Sequence, residues 1–238
     1  MSFLDQLVGG EDRRAPQPLD RYDIHDRVRP QLFDLTLDAE RPVFAVDVDE
    51  VVVDFANHLG EFVADRGLEM SLTEYKIDGA ITRIADGQPL NRAEVGAEID
   101  AFFRAEAENQ RAVPGAVEAL QAIAEHHQVV FVTNVPFHAR DARISNLLGH
   151  GLDFPLIANS GGKGWVLRYL WDHSSGPMAY VDDAHLQLLS CEKRAPAVSR
   201  IHYVADQRLR QLSGRSEAAT HRSECWTETR SILEQMVS

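Results

Sequence analysis

The chain has 238 residues, of which 44% are hydrophobic and 26% charged, so we expect one domain with a sizeable core and an insertion. Its 24 lysines and arginines against 37 aspartates and glutamates give a formal net charge of −13, which disfavours partners bound through a phosphate backbone. Two cysteines are too few for a disulfide framework and allow one bridge at most. Apolar runs are shorter than the ~18 residues that span a bilayer, and the first residues lack the pattern of a secretory leader. We therefore expect a cytoplasmic protein that binds neither nucleic acid nor membrane.

The first 40 residues are polar, rich in aspartate and arginine, and interrupted by prolines. We expect an N-terminal extension over 1–40 that is ordered in part, with one short helix. A β-branched and aromatic run then begins at Val43 and ends before Asp47, which predicts a buried strand. Similar runs occur at 129–132, 155–158, 178–181 and 200–204. Five strands separated by helical stretches predict an α/β fold with a parallel, Rossmann-like sheet and right-handed crossovers.

About eighty residues separate the first predicted strand from the second, far more than one crossover needs. Apolar residues at helical spacing, first from Phe55 and again from Val95, predict an inserted helical subdomain over 55–112. We interpret Ile99, Phe102 and Phe103 as its core. The main Rossmann-like core then consists of residues 41–54 and 113–238. Further helices are predicted at 114–124, 164–171, 184–189 and 224–236.

Polar side chains follow the predicted strands at the sheet edge where ligands bind in α/β folds. Carboxylates that converge there are costly unless a cation neutralises them, and Mg²⁺ fits carboxylate and carbonyl ligands. Lys163, at the start of a helix after the third strand, adds one positive charge that can bind an anion. The other residues are Asp47, Asp49 and Glu50 after the first strand, Thr133 and Asn134 after the second, and Asp182 and Asp183 after the fourth.

These residues, in this order, resemble the four motifs of the haloacid dehalogenase (HAD) superfamily of phosphatases and phosphotransferases. The motifs span residues 43–183, and the sheet with its insertion extends the resemblance over nearly all of the chain after residue 40. The apolar strand ending in Asp47-Val48-Asp49 is similar to the first motif, and Thr133 at a strand end to the second. Lys163, at a helix start, is similar to the lysine of the third motif. Asp182-Asp183 is similar to the pair of aspartates of the fourth motif. The resemblance implies that the inserted subdomain is a cap that closes over the substrate.

The resemblance also implies a role for each residue in phosphate ester hydrolysis. Asp47 would be the nucleophile that forms an aspartyl phosphate, and Asp49 the general acid and base. Thr133 and Lys163 would bind the phosphoryl group. Asn134 would orient the substrate or the acid, or else cap a turn. Mg²⁺ would be held by Asp47, by the backbone carbonyl of Asp49, and by Asp182 and Asp183, with the direct ligand among the last two left open.

Several alternatives remain at this stage. Asp49 favours phosphate chemistry over the dehalogenase branch of the family, and the expected substrate is a small organophosphate. A nucleoside monophosphate is the first candidate, because Asp54-Phe55 after the apolar run is similar to the nucleotidase branch. The same residues also suit a phosphotransferase or mutase. A non-catalytic module that binds phosphate and metal is the other alternative, suggested by the extension over 1–40 and by Glu50, where relatives often carry glycine.

Further residues are candidates for the site. Tyr75, Lys76, Arg83 and the turn 86–89 are candidates to face it from the cap, and His185 is a candidate neighbour of the metal ligands. Glu50 either tunes specificity or points to solvent. The segment around Lys163 is not a P-loop, because the required glycine and hydroxyl residue are missing. A dinucleotide fingerprint, a serine-hydrolase elbow and a zinc set of four ligands are missing from the sequence as well.

Overall fold

The computed structural model describes residues 17–72, 77, 79–204 and 206–237. Their main feature is a sheet of parallel strands. A sheet of six parallel strands has the order β5-β4-β1-β6-β7-β8, and β2 pairs with β3 in a separate antiparallel hairpin. The strands are β1 (Val43–Val46), β2 (Leu68–Met70), β3 (Ile81–Arg83), β4 (Gln128–Thr133), β5 (Leu156–Ala158), β6 (Met178–Asp182), β7 (Ser199–Tyr203) and β8 (His221–Ser223).

The parallel α/β fold predicted from the sequence is confirmed, with one strand more than expected. The sixth strand, β8, lies at the edge of the sheet, where Ser223 is in register with Tyr203. Its three residues are polar or charged, as is usual for an edge strand, so it lacks the apolar run that marks the other five. All five predicted strands are present, and the sixth was missed for this reason.

Helices cover both faces of the sheet and build the insertion. Within the described residues, short 3-10 helices occur at Leu19–Arg21 and Phe137–Ala139. Among the described helices, none is both long and apolar enough to cross a membrane. The α-helices are α1 (Arg29–Phe33), α2 (Phe55–Ala64), α3 (Arg92–Glu106), α4 (Ala116–Ala124), α5 (Arg140–Gly149), α6 (Gly164–Asp172), α7 (His185–Arg194), α8 (Gln207–Leu212) and α9 (Trp226–Val237).

Strand β1 lies in the middle of the sheet and is buried on both faces. It pairs with β4 on one side and β6 on the other, with Val46 in register with both Phe131 and Val181. All four residues of β1 are fully buried, as expected for a central parallel strand. Asp47 therefore leaves the sheet next to Asp182, at the edge where the carboxyl ends of the strands meet.

The inserted segment 55–112 is not entirely helical. It contains α2 and α3, but the hairpin of β2 and β3 lies between them, with Met70 opposite Ile81. The strands of this hairpin have three residues each, too short for an alternating pattern to stand out in the sequence. Phe102 and Phe103 are buried and contact Phe55, with ring centroids 5.4 and 5.6 Å apart. These two residues belong to the interior of the insertion, as predicted.

Residues 17–40 of the expected N-terminal extension pack on the sheet. Tyr22, Ile24, Val28 and Leu32 are buried in the same apolar cluster as β1 and α6. The hydroxyl of Tyr22 donates to Asp172 Oδ2 at 3.0 Å, which ties this segment to the end of α6. Residues 1–16 lie outside the described residues.

Candidate active site

Asp47 forms the floor of the candidate site at the carboxyl end of β1. Its amide donates to the Val181 carbonyl at 3.0 Å, which continues the pairing of β1 with β6 by one residue. The Val48 amide donates to Asp47 Oδ1 at 2.7 Å. Only 7% of the residue is exposed. The strand pairing and this hydrogen bond fix the carboxylate at the end of the central strand.

Lys163 joins two of the predicted site residues. Its Nζ lies 2.7 Å from Asp47 Oδ1 and 2.7 Å from Asp182 Oδ2. The Lys163 amide donates to Gln187 Oε1 at 2.9 Å, which holds the residue immediately before α6. Tyr180 donates its hydroxyl to Asp182, and the Ala184 amide donates to Asp182 Oδ1 at 2.7 Å. The ammonium is therefore fixed between two buried carboxylates.

Burial sets the electrostatics of this cluster. Desolvation raises the pKa of Asp47 to about 8, against the attraction of Lys163 and with added repulsion from Asp182 and Asp49. Burial alone would lower the pKa of Lys163, but its attraction to Asp182 and Asp47 is stronger, so that pKa is raised. One ammonium thus faces several carboxylates, and the excess negative charge creates a demand for another cation.

The carboxylates meet the requirements of a divalent cation. Asp47, Asp182 and Asp183 each offer an oxygen, and these atoms lie within 4.8 Å of one another. A hard cation such as Mg²⁺ takes two or three such oxygens and completes its shell with water or substrate. The backbone oxygen of Asp183 lies 3.0 Å from His202 Nε2 on β7, a contact that the sequence did not indicate. His185, the histidine singled out in the sequence, instead contacts Ser216 Oγ at 2.7 Å.

Asp49 lies on the turn after β1 and contacts an arginine that the sequence analysis missed. Arg143 Nη2 donates to Asp49 Oδ1 at 2.6 Å. Arg143 is fully buried on α5 and also donates to Gln110 Oε1 and, at 3.3 Å, to Asn146 Oδ1. One signal was available, because Arg143 and Asn146 share the spacing of a buried helix face with Leu147. A buried arginine on such a face needs acceptors, which here include Asp49.

Glu50 adopts a left-handed backbone conformation, with φ of +62°. Its amide donates to the Val53 carbonyl at 2.9 Å, and its carboxylate accepts from the Ala56 amide in the first turn of α2. This φ lies in the left-handed region that favours glycine. Desolvation raises the pKa of Glu50 to about 7, opposed by the Ala56 hydrogen bond. Glu50 lines the site cavity, so it does not simply point to solvent.

Thr133, the last residue of β4, and Asn134, which follows it, are placed differently. Thr133 is fully buried, and its Oγ1 accepts from the Val135 amide at 3.2 Å. Asn134 lines the site cavity and donates to the Gly161 carbonyl at 2.9 Å, while its Oδ1 accepts from Asn159 Nδ2 at 2.9 Å. Asn134 therefore holds together the loops after β4 and β5, whereas Thr133 is not among the residues that line the cavity.

The residues predicted to face the site from the cap do not line the cavity where the structure describes them. Arg83 pairs with Glu94 at 2.5 Å and is not among the residues that line the cavity. The turn 86–89 is exposed and is also absent from the cavity lining. Tyr75 and Lys76 lie outside the described residues. Ile99, expected in the cap core, packs against the cluster that contains Phe102 and Phe103 and also lines the cavity.

A cavity of about 520 Å³ opens above Asp47, between the sheet edge and the insertion. Its volume lies in the range of ~300–1,000 Å³ that is typical of small-molecule sites. The predicted residues that border it are Asp47, Asp49, Asn134, Lys163 and Asp183. The structure therefore brings residues from four separate strand ends to one cavity.

The fold is shared with solved HAD-type hydrolases. A HAD family hydrolase from Deinococcus radiodurans, with bound phosphate and sodium, has a TM-score of 0.55 and 16% identity, covering 84% of this chain and 97% of that one. A structure described as a HAD hydrolase from Bacillus subtilis, bound to magnesium, has a TM-score of 0.57 and 14% identity, with coverage of 82% and 99%. A haloacid dehalogenase-like protein from Streptococcus pneumoniae has a TM-score of 0.54 and 13% identity, with coverage of 83% and 100%. No protein-family model and no curated protein matches this sequence. The chain has the HAD-type fold, which confirms the fold that the resemblance implied.

Proposed function

We propose that this chain is a Mg²⁺-dependent phosphohydrolase of the HAD type, which hydrolyses a small phosphate monoester through an aspartyl phosphate on Asp47. One observation carries the proposal. Lys163 Nζ lies 2.7 Å from both Asp47 and Asp182, beside a third carboxylate, at the floor of a cavity of ligand size. A fixed cation beside a fixed nucleophile is what phosphoryl transfer requires, because its catalysis consists mostly of positioning and charge neutralisation.

In the first step, a carboxylate oxygen of Asp47 forms a bond to phosphorus while the bond from phosphorus to the leaving oxygen breaks. Lys163 and the Val48 amide hold Asp47 Oδ1, which fixes the rotation of the carboxylate. The Lys163 ammonium also stabilises the charge on the phosphoryl oxygens. Asp49, which borders the same cavity, gives its proton to the leaving oxygen.

In the second step, water replaces Asp47 on phosphorus. Asp49 takes a proton from the water, whose oxygen forms a bond to phosphorus as the bond to Asp47 breaks. Inorganic phosphate leaves, and both carboxyl groups return to their starting states. Arg143 contacts Asp49 from the protein interior at 2.6 Å, so it directs the carboxyl group in both steps.

Mg²⁺ would be held by Asp47, Asp182, Asp183 and the Asp49 backbone carbonyl. When bound, it supplies positive charge to the phosphoryl oxygens and offsets the repulsion among the carboxylates. The cluster of three carboxylates within 4.8 Å supports this assignment. Two structures with the same fold hold magnesium in one case and phosphate with sodium in the other.

Phosphate release from a panel of small esters, with Mg²⁺ or with a chelator, tests the proposal. Release should need both the metal and Asp47, so Asp47→Asn abolishes it. Asp86→Asn, in an exposed turn outside the cavity, is the matched control and retains it. Metal binding without release from any ester contradicts the proposal and favours a binding module. A phosphorylated acceptor in place of free phosphate contradicts it in favour of a phosphotransferase.

A further inference from the structure

The cavity above Asp47 has a charged floor and an apolar wall. The described part of the wall is built from the first turns of α2, from β2 with Leu72 and Ile77, from α3, and from α8. Leu59 and Val95 are buried, and Ile99 is half-buried. The wall residues are Phe55, Ala56, Leu59, Met70, Leu72, Ile77, Val95, Ile99 and Leu209.

Among the described residues that line the cavity, the charged side chains lie at the floor. Among the described residues that line the cavity, Lys163 is the one cation, and it already bridges Asp47 and Asp182. Asp49, Glu50 and Asp183 also border the cavity. A substrate with a second anionic group would meet these carboxylates without another cation among the described lining residues. Its desolvation would therefore remain uncompensated.

The polar groups of a leaving group would also lack partners among the described residues of the wall. The described wall residues carry only aliphatic, thioether or aromatic side chains. The uncharged polar side chains of the lining, Asn134 and Gln187, lie on the core side of the cavity and are engaged with Gly161 and the Lys163 amide. Sugar hydroxyls buried against this wall would lose their hydrogen bonds to water.

We infer that the natural substrate is a phosphate monoester with an uncharged, predominantly apolar leaving group, an alkyl or aryl alcohol. The inference rests on the proposed function, since it assumes that the phosphoryl group lies on Asp47 and Lys163. The leaving group then extends from the floor along the wall, where its apolar surface is removed from water. This chemistry is favoured over a sugar phosphate or a nucleoside monophosphate.

A series of n-alkyl phosphates from methyl to hexyl tests the inference by steady-state kinetics with Mg²⁺. Each added methylene should raise kcat/KM about fourfold, which corresponds to ~0.8 kcal/mol per buried methylene. Hexyl phosphate should also exceed glucose 6-phosphate and adenosine monophosphate. Ile99→Ser, in the wall, reduces the gain per methylene. Ile84→Ser is the matched control, because Ile84 belongs to the same insertion but is 63% exposed and lies outside the cavity lining.

The alkyl phosphonates of the same series, which carry no ester bond to hydrolyse, separate this inference from the proposed function. Calorimetry with Mg²⁺ should show tighter binding and a more negative heat capacity change with each methylene. Ester hydrolysis without a chain-length effect overturns the inference and leaves the hydrolase. Chain-length-dependent phosphonate binding without hydrolysis of any ester supports the apolar site and overturns the hydrolase. Better turnover of the sugar or nucleoside phosphate also overturns the inference.

Discussion

Arg143 Nη2 donates to Asp49 Oδ1 across 2.6 Å, and the arginine is fully buried while the aspartate borders the cavity. The guanidinium is held in turn by Gln110 and Asn146. The orientation of the proposed general acid is therefore set by a helix of the core, α5. Asp49 would otherwise be free to turn on a loop, which is a poor support for a proton donor.

Arg143→Met should therefore slow the enzyme most for esters whose leaving group needs a proton. With an alkyl phosphate we expect a loss in kcat of about 10- to 100-fold, part of the ~10²- to 10⁴-fold that a positioned acid contributes. With 4-nitrophenyl phosphate, whose leaving group departs as an anion, the rate of the first step, measured as the burst of nitrophenol, should fall much less. Steady-state turnover of this substrate should still slow, because Asp49 also activates the water in the second step. Arg143→Lys should recover part of the kcat that Arg143→Met loses with the alkyl phosphate.

Arg140→Met serves as the control on the same helix, because Arg140 contacts Gln31 and the Leu156 carbonyl and lies outside the cavity lining. It should affect both substrates equally. Equal losses in the rate of leaving-group release with both substrates in Arg143→Met would assign Arg143 a purely structural role.

Lys163→Met should destabilise the fold as well as remove activity. The substitution leaves Asp47 and Asp182 buried without their shared cation, and loss of one partner of a buried pair costs ~3–5 kcal/mol. Urea unfolding in the presence of a chelator measures this free energy. Lys193→Met, at an exposed site on α7, should change it by less than ~0.5 kcal/mol. Indistinguishable stabilities of the two variants would contradict the buried bridge.

His127 should make the fold less stable in mild acid. Burial lowers the pKa of His127 in the folded state below its ordinary value of about 6.5. As the pH falls, His127 therefore binds a proton in the unfolded chain before it does so in the folded chain. The unfolding free energy that His127 contributes above pH ~6.5 is lost as the pH approaches the lower pKa of the folded state. One such proton changes the free energy of unfolding by at most ~1.4 kcal/mol per pH unit.

His127→Asn should flatten the fall in unfolding free energy between pH 7 and pH 5, measured by urea unfolding at each pH. The exposed neighbour His126 offers the matched control, and His126→Asn should keep the wild-type slope. Equal slopes in wild type and His127→Asn would show that the burial of His127 does not contribute to acid sensitivity.

The two cysteines should react very differently with thiol reagents. Cys225 is exposed, whereas Cys191 is fully buried and desolvation raises its pKa to about 12. An aromatic disulfide reagent at pH 8 should therefore modify one thiol in the folded protein and two in urea. Rapid modification of both thiols in the folded protein would contradict the packing of α7 on the sheet.

The sequence was informative wherever a strand is buried on both faces. The apolar runs at β1, β4 and β6 predicted the sheet, and the polar residues after them predicted the site, because chain direction alone brings the ends of parallel strands together. Edge strand β8 and the hairpin of β2 and β3 escaped notice since short, half-exposed strands carry no apolar run. Arg143 was missed because its role depends on which helix face meets the turn after β1. The apolar wall could not be foreseen, since it combines side chains from four separate elements.

The most direct test of the account is the fate of the phosphoryl group in Asp49→Asn with 4-nitrophenyl phosphate. This substrate needs no proton at its leaving oxygen, but water activation is lost, so the phosphoryl enzyme should accumulate. We expect a burst of one nitrophenol per enzyme, and mass spectrometry after acid quench should place the phosphoryl group on Asp47. Asp47→Asn should give neither signal. A phosphoryl group on another residue, or turnover by Asp47→Asn, would contradict the mechanism.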